Sequence, residues 1–408
     1  MNITKGDIED FKENLSIKYH KNYLPTESFH LNRPSISFLV VVKNAERTIQ
    51  RCINSILKNC DSEDEIKIID TGSKDKTIEM IHDFDDNRIK LFEFKWVDDF
   101  SKARNYAKSL AEKQWVFFID SDEYMLKNTV VKLKKYICIL KWNNKKNIFI
   151  NPTIINTNDH IINGVSRIFE NNNKVIYKGL IHEYPYVPNE EIEIYAFESI
   201  LLMHDGYDNN VVDLENKIFR NLKLLEKMKQ IEKDIRWDYL YCRDGSYVWD
   251  DNKCIRNLEI LLKTWSHESK SDAYYSATRD LIELYLNNGY IDEAKTKIEI
   301  LRTLKPNESD IYYFESIISW FDLKSKEKDL LSDIINYKNT RTKIDYGALH
   351  SNYYHLDFLI SLIMISQGEL EKGFKIQKKL NEKGVYDFTI DFNQLNKVRD
   401  NYYSEVKS

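Results

Sequence analysis

The sequence predicts an α/β domain with a mostly parallel sheet, followed by an all-α region. Between residues 34 and 123, short apolar runs alternate with amphipathic segments in a β-α-β-α-β-α-β pattern, which is typical of parallel strands joined by right-handed crossovers. From about Leu214 onward the strand-like runs disappear and apolar residues recur at helical spacing. We therefore expect an N-terminal helical segment over residues 1–33, an α/β domain over 34–210 and a helical domain over 211–408.

Composition excludes several classes of protein. The hydrophobic share of 42% and the charged share of 31% are those of a globular chain. A net charge of −5 provides no basic field for nucleic acid, and the longest apolar run, Phe38–Val42, is too short to span a membrane. The N-terminus lacks the apolar core of a signal peptide. The five cysteines show no zinc-like spacing, so a reduced, cytoplasmic protein is expected.

The predicted strands are short apolar runs that end in polar residues. The first, Ser35–Val42, ends at Lys43 and Asn44, and an amphipathic helix follows it. The second, Glu65–Asp70, runs into a turn around Gly72 that leads to the next helix. The third covers Ile89–Phe94. In open α/β sheets, ligands bind beyond the carboxyl ends of such strands.

The stretch from Asp98 to Glu123 organises the predicted site. Asp99 or Ser101 can cap a helix whose apolar stripe packs on the sheet. The run Trp115–Ile119 then predicts a strand buried on both faces. Asp120, Asp122 and Glu123 follow it. Three neighbouring carboxylates repel one another, so a divalent cation is expected there; an acidic turn that caps the next helix is the alternative.

The rest of the chain is mixed and then helical. An amphipathic helix is predicted over Thr129–Trp142, with its lysines facing solvent, and strand-like pieces extend from there to Met203. In the tail, Tyr275–Pro306 matches the packing pattern of a tetratricopeptide unit, and Phe358–Gly384 is a weaker copy. Helical arrays of this kind bind peptides or a second subunit, although core packing explains the aromatic residues of the tail equally well.

Four motifs, in order and spacing, resemble the nucleotide-sugar domain of family 2 glycosyltransferases, which have a GT-A fold: V-V-V-K-N-A-E, I-I-D-T-G-S-K-D-K-T, D-F-S-K-A-R-N and F-F-I-D-S-D-E. The downstream motifs R-I-F, G-L-I-H-E and H-D-G-Y, followed by a helical tail, are similar to the branch of SunS-type peptide S-glycosyltransferases, which modify a cysteine in glycocin precursors. The resemblance covers residues 35–210 strongly and the TPR-like tail loosely.

This resemblance implies a role for each motif residue. In the family's D-x-D motif the last acid binds a divalent metal, Mg or Mn, which implies a metal set of Asp122, Asp120 and His204. The residues implied in binding the UDP-sugar are Val42, Lys43, Asn44, Asp70, Arg104, Asp120, Ser121 and Arg167. An acceptor-side acid is implied at Glu183, which would act as the base of an inverting displacement, with His182 orienting it or touching the sugar.

Each role has a structural alternative. The alternative for Asp70 is capping of a helix, for Arg104 a surface salt bridge, and for His182 with Glu183 a structural pair on a loop. His204 could simply end a strand, and Arg167 could pair with an acid at the sheet edge.

The resemblance implies transfer of a hexose from UDP-glucose or a related UDP-sugar to a cysteine of a bacteriocin precursor peptide. Helical additions on a GT-A core also favour a homodimer. The alternatives are a transferase acting on a surface polysaccharide or lipopolysaccharide, and a non-catalytic helical-repeat scaffold.

Overall fold

The computed structural model describes residues 1–16, 24–142, 146–157, 161–162, 164–204, 214–266, 271–322, 327–340 and 352–385. The chain divides into two compact units between residues 211 and 212. The first unit is the α/β unit and the second is the helical unit.

The N-terminal segment belongs to the core of the α/β unit. It contains β1 (Asn2–Ile3), α1 (Lys5–Asn14) and β2 (Phe29–His30), and the two strands pair with each other. Thr4 caps α1 in a reciprocal capping box with Asp7. The ring of Phe11 is buried against Tyr136 and Phe197, with centroids 5.4 and 5.1 Å away. The segment is therefore packed into the unit through aromatic contacts.

Four parallel strands form the first half of the central sheet, as the alternating pattern predicted. They are β3 (Ile36–Val42), β4 (Glu65–Asp70), β5 (Ile89–Glu93) and β6 (Trp115–Phe118), in the order β5-β4-β3-β6. The helices between them are α2 (Ile49–Leu57), α3 (Thr77–His82) and α4 (Phe100–Ser109). Asp99 caps α4 by accepting from the Lys102 amide.

The second half of the unit makes the sheet mixed. It contains β7 (Glu123–Met125), α5 (Thr129–Lys141), β8 (Ile148–Asn156), β9 (Ile161–Ile162), β10 (Ile168–Glu170), β11 (Ile176–Lys178), β12 (Tyr184–Tyr186) and β13 (Glu193–His204). The sheet continues past β6 in the order β10-β8-β13-β7, with β9 beside β8. Both neighbours of β10, namely β6 and β8, are antiparallel to it. Strands β11 and β12 form a separate two-stranded sheet.

The central strands are apolar throughout because both of their faces are covered. Phe38 and Phe117 belong to the core on one face, and Leu39, Val116 and Phe118 belong to the core on the other. This double burial explains the continuous apolar runs, since a strand exposed on one side would alternate apolar and polar residues.

The expectation that the lysines of α5 face solvent is wrong for Lys134. Its side chain is 0% exposed, and its ammonium donates to Asp64 at 2.7 Å and to Asp61 at 2.8 Å. The Asp64 carboxylate, also 0% exposed, accepts from the amide of Ile36 at the start of β3. A buried ammonium needs such partners, and here they tie α5 to the loop before β4.

The helical unit consists of paired helices, as the loss of strand signal predicted. Its helices are α6 (Leu214–Ile231), α7 (Ile235–Gly245), α8 (Asp251–Thr264), α9 (Asp272–Asn287), α10 (Ile291–Leu304), α11 (Ser309–Asp322), α12 (Glu327–Thr340), α13 (Tyr354–Ser366) and α14 (Leu370–Glu382). The tetratricopeptide-like stretch forms the α9–α10 hairpin, and its turn contains Gly289 at φ +81°. Leu281, Ala294 and Leu301 of this stretch are fully buried. Within the described part of the chain, no helix has the length and apolar character needed to cross a membrane.

Candidate active site

The loops after β3 and β4 are joined by side-chain hydrogen bonds at the carboxyl edge of the sheet. The amide of Asn44 donates to Oγ of Ser73 at 2.9 Å, and the amide of Lys74 donates to Oδ1 of Asn44 at 2.8 Å. Asn44 has φ +50°, a left-handed conformation that asparagine tolerates. Val42 is 2% exposed, and its carbonyl accepts from the amide and hydroxyl of Thr71.

Asp70 shapes the loop in which it lies. Its carboxylate accepts from the amide of Gly72 at 2.8 Å and from the amide of Ser73 at 3.1 Å. Gly72 has φ +100°, so a side chain at this position would strain the turn. Asp70 therefore holds the turn that follows β4. It does not cap α3, which begins only at Thr77.

Lys43 and Trp96 lie at the same edge. The Lys43 ammonium is 5.9 Å from the centre of the Trp96 ring, and the Trp96 indole N–H donates to Asp98 at 2.9 Å. Asp98 also has positive φ, +54°. Trp96 packs edge-on against Phe100 at the start of α4. The lysine at the end of β3 is thus next to aromatic residues that the motif analysis did not select.

Asp120 is held by two arginines that come from distant segments. Its Oδ1 accepts from Nη2 of Arg104 at 2.9 Å, and its Oδ2 accepts from Nη2 of Arg167 at 2.5 Å. Burial alone would raise the pKa of Asp120, but the guanidinium groups of Arg167 and Arg104 hold that pKa well below its usual range. Asp120 is therefore an anion with fixed cationic partners.

Arg104 bridges Asp120 and Glu183. Its Nε–H donates to Glu183 at 2.5 Å, and the side chains of both residues are about nine-tenths buried. The guanidinium lies next to two aromatic rings, 5.1 Å from the centre of Phe118 and 5.6 Å from that of Tyr177. Burial alone would lower the pKa of Arg104, but Asp120 and Glu183 keep that pKa well above its usual value. The arginine therefore stays charged inside the unit.

His182 and Glu183 lie on the loop that joins β11 and β12. His182 has φ +50°, and Gly179 in the same loop has φ +107°. Positive φ is costly for a histidine and is sustained only where the surrounding structure enforces it. The loop turns sharply here and carries the Glu183 carboxylate to Arg104.

Asp122 and His204 face each other across the turn that follows β6. Their Oδ2 and Nε2 atoms are 3.3 Å apart, and Nδ1 of His204 is 2.8 Å from Oδ1 of Asn156. Burial alone would lower the pKa of His204, but the hydrogen bond to Asp122 raises it. Strand pairing produces this arrangement, because β13 aligns His204 with Glu123 on one side and with Asn156 on the other.

Among the residues that the structure describes, no group of three or more His, Cys, Asp or Glu side chains is arranged to hold a metal ion. Asp122 and His204 form a pair of ligand types, and the oxygens of Asp120 face arginines instead. Asp205, Gly206 and Tyr207, which follow His204 in its motif, lie outside the described residues.

Residues 37–191 match the family model Glycosyl transferase family 2. The chain carries a family 2 glycosyltransferase domain. It is therefore a glycosyltransferase, with a GT-A-like mixed α/β domain followed by a helical region.

The relatives include the SPbeta prophage-derived glycosyltransferase SunS of Bacillus subtilis. It is 29% identical over 333 residues, which cover 81% of this chain and 76% of SunS. The UDP-Glc:alpha-D-GlcNAc-diphosphoundecaprenol beta-1,3-glucosyltransferase WfgD of Escherichia coli is 33% identical over 123 residues, or 30% of this chain and 47% of WfgD. Among solved structures, S. aureus TarS superposes with a TM-score of 0.34 at 16% identity, over 67% of this chain and 55% of TarS.

Within the glycosyltransferase domain, the structure brings together Arg104, Asp120, Arg167 and Glu183, and separately Asp122 and His204. Asn44 and Asp70 lie together in the neighbouring loops of β3 and β4. Ser121 is half-buried in the turn between Asp120 and Asp122.

The sequence analysis counted Glu123 among the three acids of the expected cation site but gave it no individual role, and it passed over Tyr177. The side chain of Glu123 is 3% exposed and accepts from Arg167 at 3.4 Å and from the Asp120 amide at 2.8 Å. Burial, partly offset by Arg167, raises the pKa of Glu123 to about 7. Glu123 was visible as the third acid after β6. Tyr177 is found only through the tertiary structure, because its ring covers Arg104.

Proposed function

We propose that this glycosyltransferase is an inverting enzyme that moves a hexose from a UDP-sugar, UDP-glucose in the first instance, to a cysteine thiol of a ribosomal bacteriocin precursor. The observation that carries the proposal is the extent of the likeness to SunS. Its 333 aligned residues exceed the 208 residues of the first unit, so the likeness includes part of the helical unit. The G-L-I-H-E and H-D-G-Y motifs agree with the SunS-type branch.

The donor half of the proposal rests on the family 2 domain and on the placement of polar residues at the carboxyl edge of its sheet. The relative WfgD carries UDP-Glc in its name. Lys43, Asn44 and Asp70 are proposed on the nucleoside side, together with Val42 and Ser121. The two buried guanidinium groups, Arg104 and Arg167, are proposed to stabilise the negative charge of the diphosphate.

A divalent metal fits the chemistry of Asp122 and His204. One carboxylate and one imidazole, with the second ring nitrogen held by Asn156, are an incomplete set that suits Mn or Mg. Such ions complete their shells with substrate phosphates and water. Bound there, the metal would neutralise charge on the leaving diphosphate. Asp120 stays in the proposed set, although its oxygens now accept from Arg104 and Arg167.

On the acceptor side, Glu183 is the proposed base, and His182 is proposed to orient it or to touch the sugar. A thiol acceptor needs little help from a base, because an appreciable fraction is already thiolate near neutral pH. Glu183 would take the thiol proton or orient the thiolate. The helical unit is proposed to bind the precursor peptide or a second copy of the chain. We propose a cytoplasmic location because all five cysteines are free thiols, which persist in reducing compartments.

The second candidate is a transferase that uses the same donor with a carbohydrate acceptor on a surface polysaccharide or lipopolysaccharide. The match to WfgD, whose name specifies a sugar-diphosphate-lipid acceptor, favours it. That match covers only 30% of this chain, so the peptide acceptor is preferred.

A mass-spectrometric transfer assay tests the two candidates. The enzyme is incubated with UDP-glucose, Mn or Mg, and a cysteine-containing precursor peptide, and in parallel with the same peptide carrying Ser in place of Cys. A hexose mass gain on the first peptide that is absent from the second supports S-glycosylation. Hydrolysis of UDP-glucose without a gain on any peptide would overturn the peptide acceptor and favour the carbohydrate.

A further inference from the structure

The loop that carries Glu183 is attached to helix α4. Strands β11 and β12 form a two-stranded sheet outside the main sheet, and an isolated pair of strands is only marginally stable in water. The position of Glu183 therefore depends on what holds this small sheet. Helix α4 holds it, and the same helix carries Arg104.

Asn105 makes the most specific of these attachments. Its Nδ2 donates to the carbonyl of Tyr177 at 2.9 Å, and its Oδ1 accepts from the amide of Tyr177 at 2.8 Å. One side-chain amide thus satisfies both backbone groups of a residue in β11. It replaces the neighbouring strand that this edge of β11 would otherwise require.

The direction of the Tyr177 backbone groups explains why an amide is needed. In the β11–β12 pair, Tyr177 lies opposite Pro185, and its N–H and C=O both face Asn105 instead of β12. The two residues are therefore a non-hydrogen-bonded pair of the antiparallel ladder, and β12 leaves both backbone groups of Tyr177 without a strand partner. Because Tyr177 is buried, both of its backbone groups need partners, and Asn105 supplies one donor and one acceptor.

Two further hydrogen bonds continue the attachment towards Glu183. The amide of Phe100, at the start of α4, donates to the carbonyl of Leu180 at 3.0 Å. Arg104 then donates to Glu183. The segment from Tyr177 to Glu183 therefore runs along α4. Asn105 bonds to the first residue of this segment, and Arg104 bonds to the last.

We propose that Asn105 is a positioning residue: through the Tyr177 backbone it holds the 177–183 segment on α4 and so sets the place of Glu183 relative to Arg104 and Asp120. The proposal deepens the proposed function and rests on it for the role of Glu183. The attachment itself is independent of that role. Asn105 need not touch either substrate.

The test uses the full chain and the variants Asn105→Leu and Asn105→Asp. Leucine has similar size and removes both hydrogen bonds. Aspartate keeps an acceptor for the Tyr177 amide but has no N–H for its carbonyl. Lys108→Met is the matched control, because Lys108 of the same helix donates to the carbonyl of Asn172, before β11 and away from Glu183.

Backbone hydrogen exchange is the first measurement, because it does not depend on any assumed substrate. In Asn105→Leu, exchange should increase in peptides covering residues 175–186 and stay unchanged in those covering β6. Exchange over residues 175–186 in Asn105→Asp should be intermediate between that of Asn105→Leu and that of the wild type. Unchanged exchange over 175–186 in the Leu variant would overturn the attachment, whether or not the proposed function holds.

Turnover is the second measurement. Since a misplacement of about 1 Å can cost about a hundredfold in rate, kcat for hexose transfer should fall roughly ten- to a hundredfold in Asn105→Leu. The donor KM should remain within about twofold of wild type, because the hydrogen bonds lost do not involve the donor loops. Lys108→Met should retain wild-type kcat.

A fall in kcat matched by an equal rise in donor KM and a general increase in exchange would indicate a merely structural role and overturn the proposal. If the wild-type enzyme turned over no UDP-sugar, the proposed function would fail while the exchange result still decided the attachment.

Discussion

The Nε atom of Arg104 lies 2.5 Å from Oε1 of Glu183, in a pair of side chains that are both about nine-tenths buried. The other arm of the same guanidinium donates to Asp120. One side chain therefore links the proposed acceptor-side base with the first acid of the D-x-D motif. The aromatic rings of Phe118 and Tyr177 lie next to this guanidinium.

Replacing Arg104 by lysine should abolish this link, because a compact ammonium cannot reproduce the planar fork that serves two carboxylates. We expect kcat for transfer to fall by about a hundredfold, through misplacement of Glu183 and loss of charge complementarity. Steady-state kinetics of hexose transfer measures this fall in kcat. Lys102→Ala on the same helix is the control, since the Lys102 side chain is 66% exposed. Full activity of Arg104→Lys would show that the fork is not required.

Replacing Asp122 by asparagine or His204 by glutamine should weaken the apparent affinity for the activating metal at least tenfold, if these two side chains ligate it. Titration of transfer or hydrolysis activity with Mn and Mg measures that affinity. His82→Gln, an exposed histidine of α3 in the same domain, is the control. An unchanged metal titration in both site variants would remove Asp122 and His204 from the metal set.

The metal affinity should also depend on pH. Asp122 raises the pKa of His204 because it stabilises the protonated ring, and a protonated imidazole cannot ligate a metal. Apparent affinity should therefore fall as pH drops through the raised His204 pKa and reach its plateau above it. Metal titrations from about pH 6 to about pH 8.5 cover this range. In Asp122→Asn the midpoint of this fall in affinity should move to lower pH. A midpoint that stays in place would assign the pH dependence to another group.

Replacing Lys134 by alanine should destabilise the α/β unit by about 3–5 kcal/mol, because it leaves the buried Asp64 carboxylate without its counter-charge. Urea unfolding followed by tryptophan fluorescence measures the loss. Lys135→Ala is the matched control. Lys135 pairs with Asp7, but its side chain is one-third exposed. Its replacement should therefore lower the free energy of unfolding by less than about 1 kcal/mol. Equal effects of the two variants would show that burial of Lys134 carries no special cost.

Local patterns predicted the sheet edge at which the residues proposed to bind the donor lie. Strand β4 has the bounds that its apolar run predicted, and β3, β5 and β6 differ from their runs by one residue at an end. Because parallel strands end at one edge of a sheet, the positions of Lys43, Asp70, Asp120 and Asp122 followed from those runs. The buried strands also explain why the runs were continuous and therefore easy to detect.

The position of Glu183, the proposed acceptor-side base, could not be derived in this way. Glu183 lies in a loop between two strands of three residues each, too short for a periodic signal. Its selection came from a family motif. Its partner Arg104 is 79 residues away in the chain, and no local pattern encodes that distance.

The sequence by itself determined the order of elements, the sheet edge at which the acids gather, and the change to helices after residue 210. These depend on short-range periodicity and apolar runs. Only the tertiary structure decided which charges meet. The pairing of β10 beside β6 brings Arg167 to Asp120, 47 residues earlier in the chain. Lys134 is buried because carboxylates from a loop 70 residues away cover it. Such contacts depend on long-range packing, where the desolvation of a charge is offset only by a partner that the chain brings from elsewhere.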